Sequence, residues 1–284
     1  MQRMVAVVAV ISGVVAGAVG AVVVTMVRVQ GRAAGDVGDY LGSASRGMRP
    51  VVVAGASIVR GRASVDFVQM LRERIPRREF VNAGVNGQMA WELLQRLDDV
   101  IACAPAQVAI LIGTNDVQAT LSPEAMVQVR QAKHLPEDPT MDFYAGSLEQ
   151  IVARLRSSGV EVGLCSLPPI GQDLAAPVNQ RVREANAAIS AVCATSGATY
   201  LPVYERLTDV LLGQGATTGP AWTGSWVPGI RSLMEHFVLG RSYDDIALSA
   251  GWVLTPDGVH MDSTGAQAIA DVVQEWLLAQ SRTS

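Results

Sequence analysis

The sequence predicts an α/β domain in which a parallel sheet of five strands carries helices on both faces. Three observations lead there. Short, wholly apolar runs recur, each closed by glycine or proline; stretches with apolar residues at helical spacing separate them; and the alternation repeats five times over residues 50–280. Runs without polar alternation are the mark of strands buried on both faces. Strand–helix alternation in turn requires crossover connections and a parallel sheet.

The first strand is read at Pro50–Gly55. A helix follows, with Ser64 as its cap and Val65, Val68, Leu71 and Ile75 on its apolar face. Glu79–Gly84 is the second strand, and Trp91, Leu94, Leu97 and Val100 mark the second helix. Gln107–Ile112 is the third strand. In the long connection after it, Ser122-Pro123-Glu124 combines a cap, a first-turn proline and a first-turn acid, so a helix should begin there. A proline-interrupted loop spans His134–Thr140. The next helix runs from about Met141 to Ser157 and stops at Gly159. Val160–Leu167 is the fourth strand. Val178, Val182, Ala185, Ile189 and Val192 define another helix, Ala198–Val203 the fifth strand, and Gly265–Ala279 the last helix. The stretch 207–255 is irregular, glycine-rich and holds Trp222, Trp226 and Trp252. Two readings are open: a lid or binding wall over a site, with Trp222 and Trp226 touching substrate, or an inserted helix on the domain edge.

Residues 4–27 form a run of 24 without a charge, longer than the roughly 20 needed to cross a bilayer. An uncleaved transmembrane anchor is expected, with secretion after signal-peptide cleavage as the alternative, since Ala16-Gly17-Ala18 resembles a cleavage site. Residues 28–49, rich in Gly, Ala and Ser, read as a flexible linker. Arg28, Arg32 and Arg46 follow the apolar run and by the positive-inside rule would hold the domain in the cytoplasm.

With a net charge of -4, nothing in the composition suggests a nucleic-acid surface, and no nucleic-acid partner is expected. Cys103, Cys165 and Cys193 are odd in number and widely spaced. They give no zinc pattern and no disulfide framework, and read as small buried apolar residues.

Ligands of open parallel sheets bind beyond the carboxyl ends of the strands. Four short motifs stand there or just before the last helix: Gly55-Ala56-Ser57-Ile58, Asn82-Ala83-Gly84-Val85-Asn86-Gly87, Gly113-Thr114-Asn115-Asp116 and Asp257-Gly258-Val259-His260. Each alone is a turn or a cap. Together they bring a hydroxyl, an imidazole, a carboxylate and hydrogen-bond donors to one rim, the inventory of acyl transfer. A serine hydroxyl needs a base. His260 can supply it near neutral pH, and Asp257 can hold the second ring nitrogen. The backbone N–H groups of Ser57 and Gly84 and the amide of Asn115 are expected to form an oxyanion hole. His134 and His236 lack a carboxylate in a matching turn and read as structural or exposed.

These four blocks, in this order, together with Leu167-Pro168-Pro169 and Asn186, resemble the SGNH/GDSL hydrolases over roughly residues 50–280. The resemblance implies a flavodoxin-like three-layer α/β/α fold and an esterase, lipase or thioesterase acting through an acyl-serine, with no metal or cofactor. It assigns Ser57, Asp257 and His260 to the triad and Ser57, Gly84 and Asn115 to the oxyanion hole. Ala56 departs from the family's aspartate before the serine, and Ile58 from its leucine. Enzymes of this kind with an apolar leader are usually exported, so the catalytic domain is expected outside the cytoplasm, against the charge rule. The substrate is expected to be an ester of a lipid, a glycan or a small molecule. A membrane-tethered acyltransferase and a non-catalytic binding protein are the alternatives.

Overall fold

The computed structural model describes residues 20, 22–43, 48–215 and 219–280. At its centre lies a five-stranded parallel sheet, β1 (Val51–Gly55), β2 (Phe80–Gly84), β3 (Gln107–Leu111), β4 (Glu161–Cys165) and β5 (Thr199–Leu201), in the order β2-β1-β3-β4-β5. The apolar runs form these strands because both faces are covered: every residue of β1, β2 and β3 is buried. Helices Ala90–Gln95, Met141–Ser157 and Pro177–Ser196 form one packed group. Helices Phe67–Arg74, Val203–Gly213 and Ser263–Gln280 form another. Ile151, Val152, Val182 and Ile189 from the first group and Leu71, Leu207, Ile269 and Val273 from the second are buried. Each such side chain contributes about 1.5–3 kcal/mol relative to exposure.

The chain order reverses between β1 and β3, which makes that adjacent interior pair the topological switch point. The register is level there: Gly55 of β1 aligns with Gly84 of β2 and Leu111 of β3. The three following loops therefore emerge side by side, which is what gathers residues 57, 87 and 115.

Several local expectations are corrected. The cap of the Phe67–Arg74 helix is Asp66, whose carboxylate accepts from Gln69 N–H at 3.0 Å. Ser64 is instead buried against Met261, with consequences for the site. The second helix is two, Ala90–Gln95 and Leu97–Ala102, parted at Arg96. The irregular 207–255 stretch is largely helical, with Val203–Gly213, Val227–Phe237 and Tyr243–Ala250. The tryptophans of the stretch, Trp222, Trp226 and Trp252, stand outside these helices rather than within them. The expectations at Ser122 and at Met141–Ser157 hold: Ser122 Oγ accepts from Ala125 N–H at 3.1 Å, and the longer helix has those bounds. Cys103, Cys165 and Cys193 are buried and none is in a disulfide.

The 28–49 stretch does not behave as a linker over its described part. Arg60 donates to the carbonyl of Gly31 (2.8 Å), Arg62 to that of Arg28 (3.0 Å) and Arg72 to that of Ala34 (2.8 Å). Asn82 N–H donates to Gly35 O at 3.0 Å, and Tyr40 of the short Val37–Gly42 helix is buried in the core. Backbone carbonyls here are anchored by arginines from elsewhere in the chain, a signal absent from the stretch's own composition. Most of the apolar run 4–27 lies outside the described residues. Among the described residues no helix is long and apolar enough to cross a membrane.

Candidate active site

β1 ends at Gly55, and only glycine fits: a Cβ there would stand 2.2 Å from the carbonyl oxygen of Leu111 and 2.5 Å from the Val59 side chain. This close approach turns the chain sharply into the four-residue helix Ser57–Arg60 and sets Ser57 at its first position, where backbone N–H groups have no acceptor within the helix. Opposite stands the 255–262 loop. Thr255 Oγ1 accepts from Gly258 N–H (2.9 Å), and Gly258 itself is left-handed with φ +89°. Gly258 O accepts from Gly171 N–H at 2.7 Å. Asp257 Oδ1 accepts from the N–H groups of Val259 (2.9 Å) and His260 (2.8 Å).

These turns bring together residues 203 positions apart. His260 Nε2 lies 2.9 Å from Ser57 Oγ, and His260 Nδ1 lies 2.7 Å from Asp257 Oδ2. Ser57, His260 and Asp257, expected to act together, are thus brought into one hydrogen-bonded row. Burial alone would push Asp257 up, but the facing imidazole and the N–H groups of His260 and Val259 outweigh it and hold the carboxyl below its usual range. Burial alone would push His260 down, and the Asp257 charge and hydrogen bond reverse that and hold the imidazole above 6.5. The carboxylate thus stays charged while the ring is primed to take a proton.

Ser64 was missed as part of this arrangement. Its buried hydroxyl accepts from Met261 N–H (2.8 Å) and donates to Met261 O (3.2 Å), while Val65 N–H donates to the same carbonyl (2.9 Å). The loop after the serine helix is thereby tied to the residue after His260. A serine two residues before a capping aspartate carries no sequence signal of this long-range role.

The triad lines a cavity of about 360 Å³ whose walls include Ile58, Leu111, Ile112, Trp222, Ile230 and Leu233. Asn115 also lines it; its Nδ2 donates one hydrogen to Gln88 O at 2.9 Å, which fixes the amide and leaves the second hydrogen available. Gly113, the cap of the Asn115 helix, has φ +135°. Trp222 and Trp226, for which a substrate contact was one of two readings, both border the cavity, and so do Gly229 and Ile230 of the Val227–Phe237 helix. That segment is both cavity wall and helix.

Gly84 is not brought to the cavity. Its N–H donates to Asn82 Oδ1 at 2.9 Å, and its missing Cβ makes room for the backbone of Arg60, 2.3 Å from where that atom would lie. The N–H expected in the oxyanion hole is thus turned away, and the bare backbone of Gly84 packs against the helix behind the serine. Gly87, three residues on, lines the cavity at φ +72° with open space beside it. Asn86 lines it too, with Nδ2 donating to Val29 O at 2.9 Å. His134 caps a surface helix, and His236 stacks on Tyr243 with Nδ1 2.8 Å from Arg241 O. Neither borders the cavity. Among the described residues no cluster of three or more metal-ligating side chains occurs.

The family model of the GDSL-like Lipase/Acylhydrolase family matches residues 52–224, more than half of the chain. The chain belongs to this family. The match ends before Asp257 and His260, so those two residues stand on the geometry above. No curated protein matches in sequence. Among solved structures, the acetyl xylan esterase AlAXEase is 17% identical with a TM-score of 0.55, over 80% of this chain and 98% of that one. A catalytic mutant of the acetylxylan esterase Axe2 from Geobacillus stearothermophilus is 17% identical with a TM-score of 0.56, over 82% and 95%. A GDSL-like lipase from Bacteroides thetaiotaomicron is 18% identical with a TM-score of 0.54, over 86% and 96%. At such identities these likenesses establish a shared fold, consistent with the sheet order described.

Proposed function

We propose that this GDSL-family protein hydrolyses carboxylic esters through an acyl-serine intermediate. The observation that carries the reading is the unbroken chain Ser57 Oγ, His260 Nε2, His260 Nδ1, Asp257 Oδ2, at 2.9 and 2.7 Å, inside a cavity with apolar walls. As Ser57 Oγ attacks the ester carbonyl, its proton passes to His260 Nε2 and the carbonyl electrons move to oxygen. Collapse of that intermediate breaks the bond to the alcohol, which leaves with the proton from His260. A water molecule, deprotonated by the same nitrogen, then releases the acid and restores the serine.

The oxyanion is held by Ser57 N–H, Gly87 N–H and the free hydrogen of Asn115 Nδ2, with Gly87 in the place first expected for Gly84. Asp257 keeps the imidazole in the tautomer that points its lone pair at Ser57. A cavity of about 360 Å³ suits a short acyl group with part of its alcohol. Short acyl esters of carbohydrates, the class after which two of the structural neighbours are named, and of lipids are the substrates favoured. The test is turnover of p-nitrophenyl acetate and labelling by a fluorophosphonate. Ser57→Ala should abolish both, with a rate loss on the order of 10⁵–10⁶. Retention of the wild-type rate by the alanine variant overturns the proposal.

A further inference from the structure

Residues 22–30 are helical, yet only Thr25 and Val29, one turn apart on one side, are buried. Val22, Val23, Val24, Met26 and Val27 point elsewhere around the helix and are all exposed, Val27 at 67%. A helix on a water-facing surface shows the reverse pattern, a narrow apolar seam and a polar remainder. An apolar surface on nearly every side is matched to an apolar solvent. The uncharged run that begins at Met4 leads directly into it.

This helix does not stand apart from the site. Val29 lines the catalytic cavity, and its carbonyl receives Asn86 Nδ2. Arg28 donates to the carbonyl of Phe237, at the end of the Val227–Phe237 helix, and the Arg62 guanidinium lies 5.7 Å from the centre of the Phe237 ring. The inner side of that second helix, through Gly229, Ile230 and Leu233, forms cavity wall. Its outer side is an open apolar groove lined by Val227, Met234, Val238 and Leu239, with Trp226 at its lip. Trp226 is 72% exposed and Leu239 69%. Among the described residues, two exposed apolar surfaces therefore flank one cavity, where a soluble protein usually scatters its exposed hydrophobics singly.

We infer that this rim rests on a lipid bilayer, so that the cavity opens at the membrane interface and meets esters carried there. The second half rests on the ester-hydrolase reading. Trp226 occupies the position of an interfacial anchor, where an amphipathic ring bridges headgroups and acyl chains. The contact is apolar rather than electrostatic. Arg32 is paired with Asp36 and Asp39, and Arg231 and Arg241 are both paired with Glu235, while Arg28 and Arg62 donate to the backbone carbonyls of Phe237 and Arg28.

The test uses the full chain reconstituted in phosphatidylcholine vesicles. Brominated phosphatidylcholine should quench a fluorescence component that Trp226→Phe removes, and should do so equally in roughly 0.1 and 1 M salt, where screening lengths differ severalfold. This readout needs no hydrolysis. Absence of that quenched component overturns the inference, as does quenching that high salt abolishes. For substrate presentation, the double variant Val227→Asp, Leu239→Asp should keep its rate on soluble p-nitrophenyl acetate within about two-fold. It should lose at least about ten-fold on an acetyl ester of a long-chain alcohol embedded in the vesicles, since charge on a membrane-contacting face is costly. Equal rates on the embedded ester overturn the inference. So does a change of oligomeric state caused by the double variant in detergent, which would assign the face to a second copy of the chain. A wild-type protein inactive on p-nitrophenyl acetate sinks the ester-hydrolase reading instead, and the quenching result then stands by itself.

Discussion

Ser57 and Asn115 stand beyond the ends of β1 and β3, on backbone so closely packed that a Cβ at Gly55 would meet Leu111 O at 2.2 Å and one at Gly113 would meet Tyr144 Oη at 2.5 Å. Asp257 and His260 stand on a loop that follows no strand and is held by side-chain hydrogen bonds from Thr255, Ser64 and Asp257 itself. The two walls also treat their buried carboxylates oppositely. Asp257 is held below its usual range because the imidazole outweighs burial. Asp116, next to Asn115, has no cation in contact, and burial pushes it up to about 7 despite the Ala90 N–H at 3.2 Å from both its oxygens. The sheet wall is rigid by backbone packing and tolerates a neutral acid. The loop wall is positioned by polar contacts and depends on a charge.

That difference predicts where activity is most fragile. Asp257→Asn should lower kcat by about 10⁴ on p-nitrophenyl acetate while the fold survives, because the amide no longer fixes the correct tautomer. The pH profile adds a signature. His260 must be neutral to act as base, and its protonation is favoured above 6.5, so wild-type kcat/KM should fall as pH drops through a value higher than 6.5. In Asp257→Asn the charge that raises the ring is gone and burial is left unopposed, so the acid limb should move to lower pH. An unmoved limb would mean that the limb reports another group.

On the sheet wall, Asn115→Ala removes a single donor and should cost about 10²–10³ in kcat, or ~2.7–4 kcal/mol, with little change in KM. Its amide is also held by Gln88 O, so a KM effect as large as the kcat effect would show that Asn115 positions the 87–89 turn rather than the oxyanion. Next in size is Ser64→Ala. It leaves Met261 N–H without its partner, a cost of about 1–3 kcal/mol in stability, and it loosens the tie between the serine and histidine loops. A kcat loss of about ten-fold with slowed fluorophosphonate labelling is expected. Unchanged labelling at a lowered Tm would reduce Ser64 to a purely structural bond.

The two walls were also unequally legible in the sequence. The strands, the Ser122 cap and the Met141–Ser157 helix could be read because local pattern dictates them: wholly apolar runs, a cap with proline, and apolar positions at helical spacing. Ser57, Asn115, Asp257 and His260 could be singled out because few residue types serve that chemistry, and the structure brings all four to one cavity. Gly84 and Gly87 could not be told apart, since both are glycines of one block. Which N–H faces the cavity is decided by the Asn82 side chain capturing that of Gly84. Val29 and Ser64 were invisible for a related reason. Their roles depend on contacts with Asn86 and Met261, 57 and 197 residues away, and neither residue type advertises such a partner.

The smallest expected effect distinguishes the two carboxylates by stability rather than rate. Asp116 has a folded-state pKa of about 7 against 3.8 for the exposed group. Between these values the unfolded chain has released the proton that the folded chain still holds, so stability falls as pH rises from about 4 towards 7 and levels off above. Asp116→Asn cannot ionise, so the difference in Tm between variant and wild type should shift in favour of asparagine by a few degrees, roughly 2–4 °C per kcal/mol for a domain of this size, between pH 5 and 8. Asp262, also pushed up by burial to about 6, slopes both proteins alike and cancels in the difference. Asp257 adds no slope of its own over that interval: its carboxylate, held below the usual range, is ionised throughout, and the stability it contributes is lost only as pH falls below about 4. Parallel Tm curves for wild type and Asp116→Asn across that interval would show that the sheet wall carries an ionised carboxylate after all, and the contrast between the walls would then lie in packing alone.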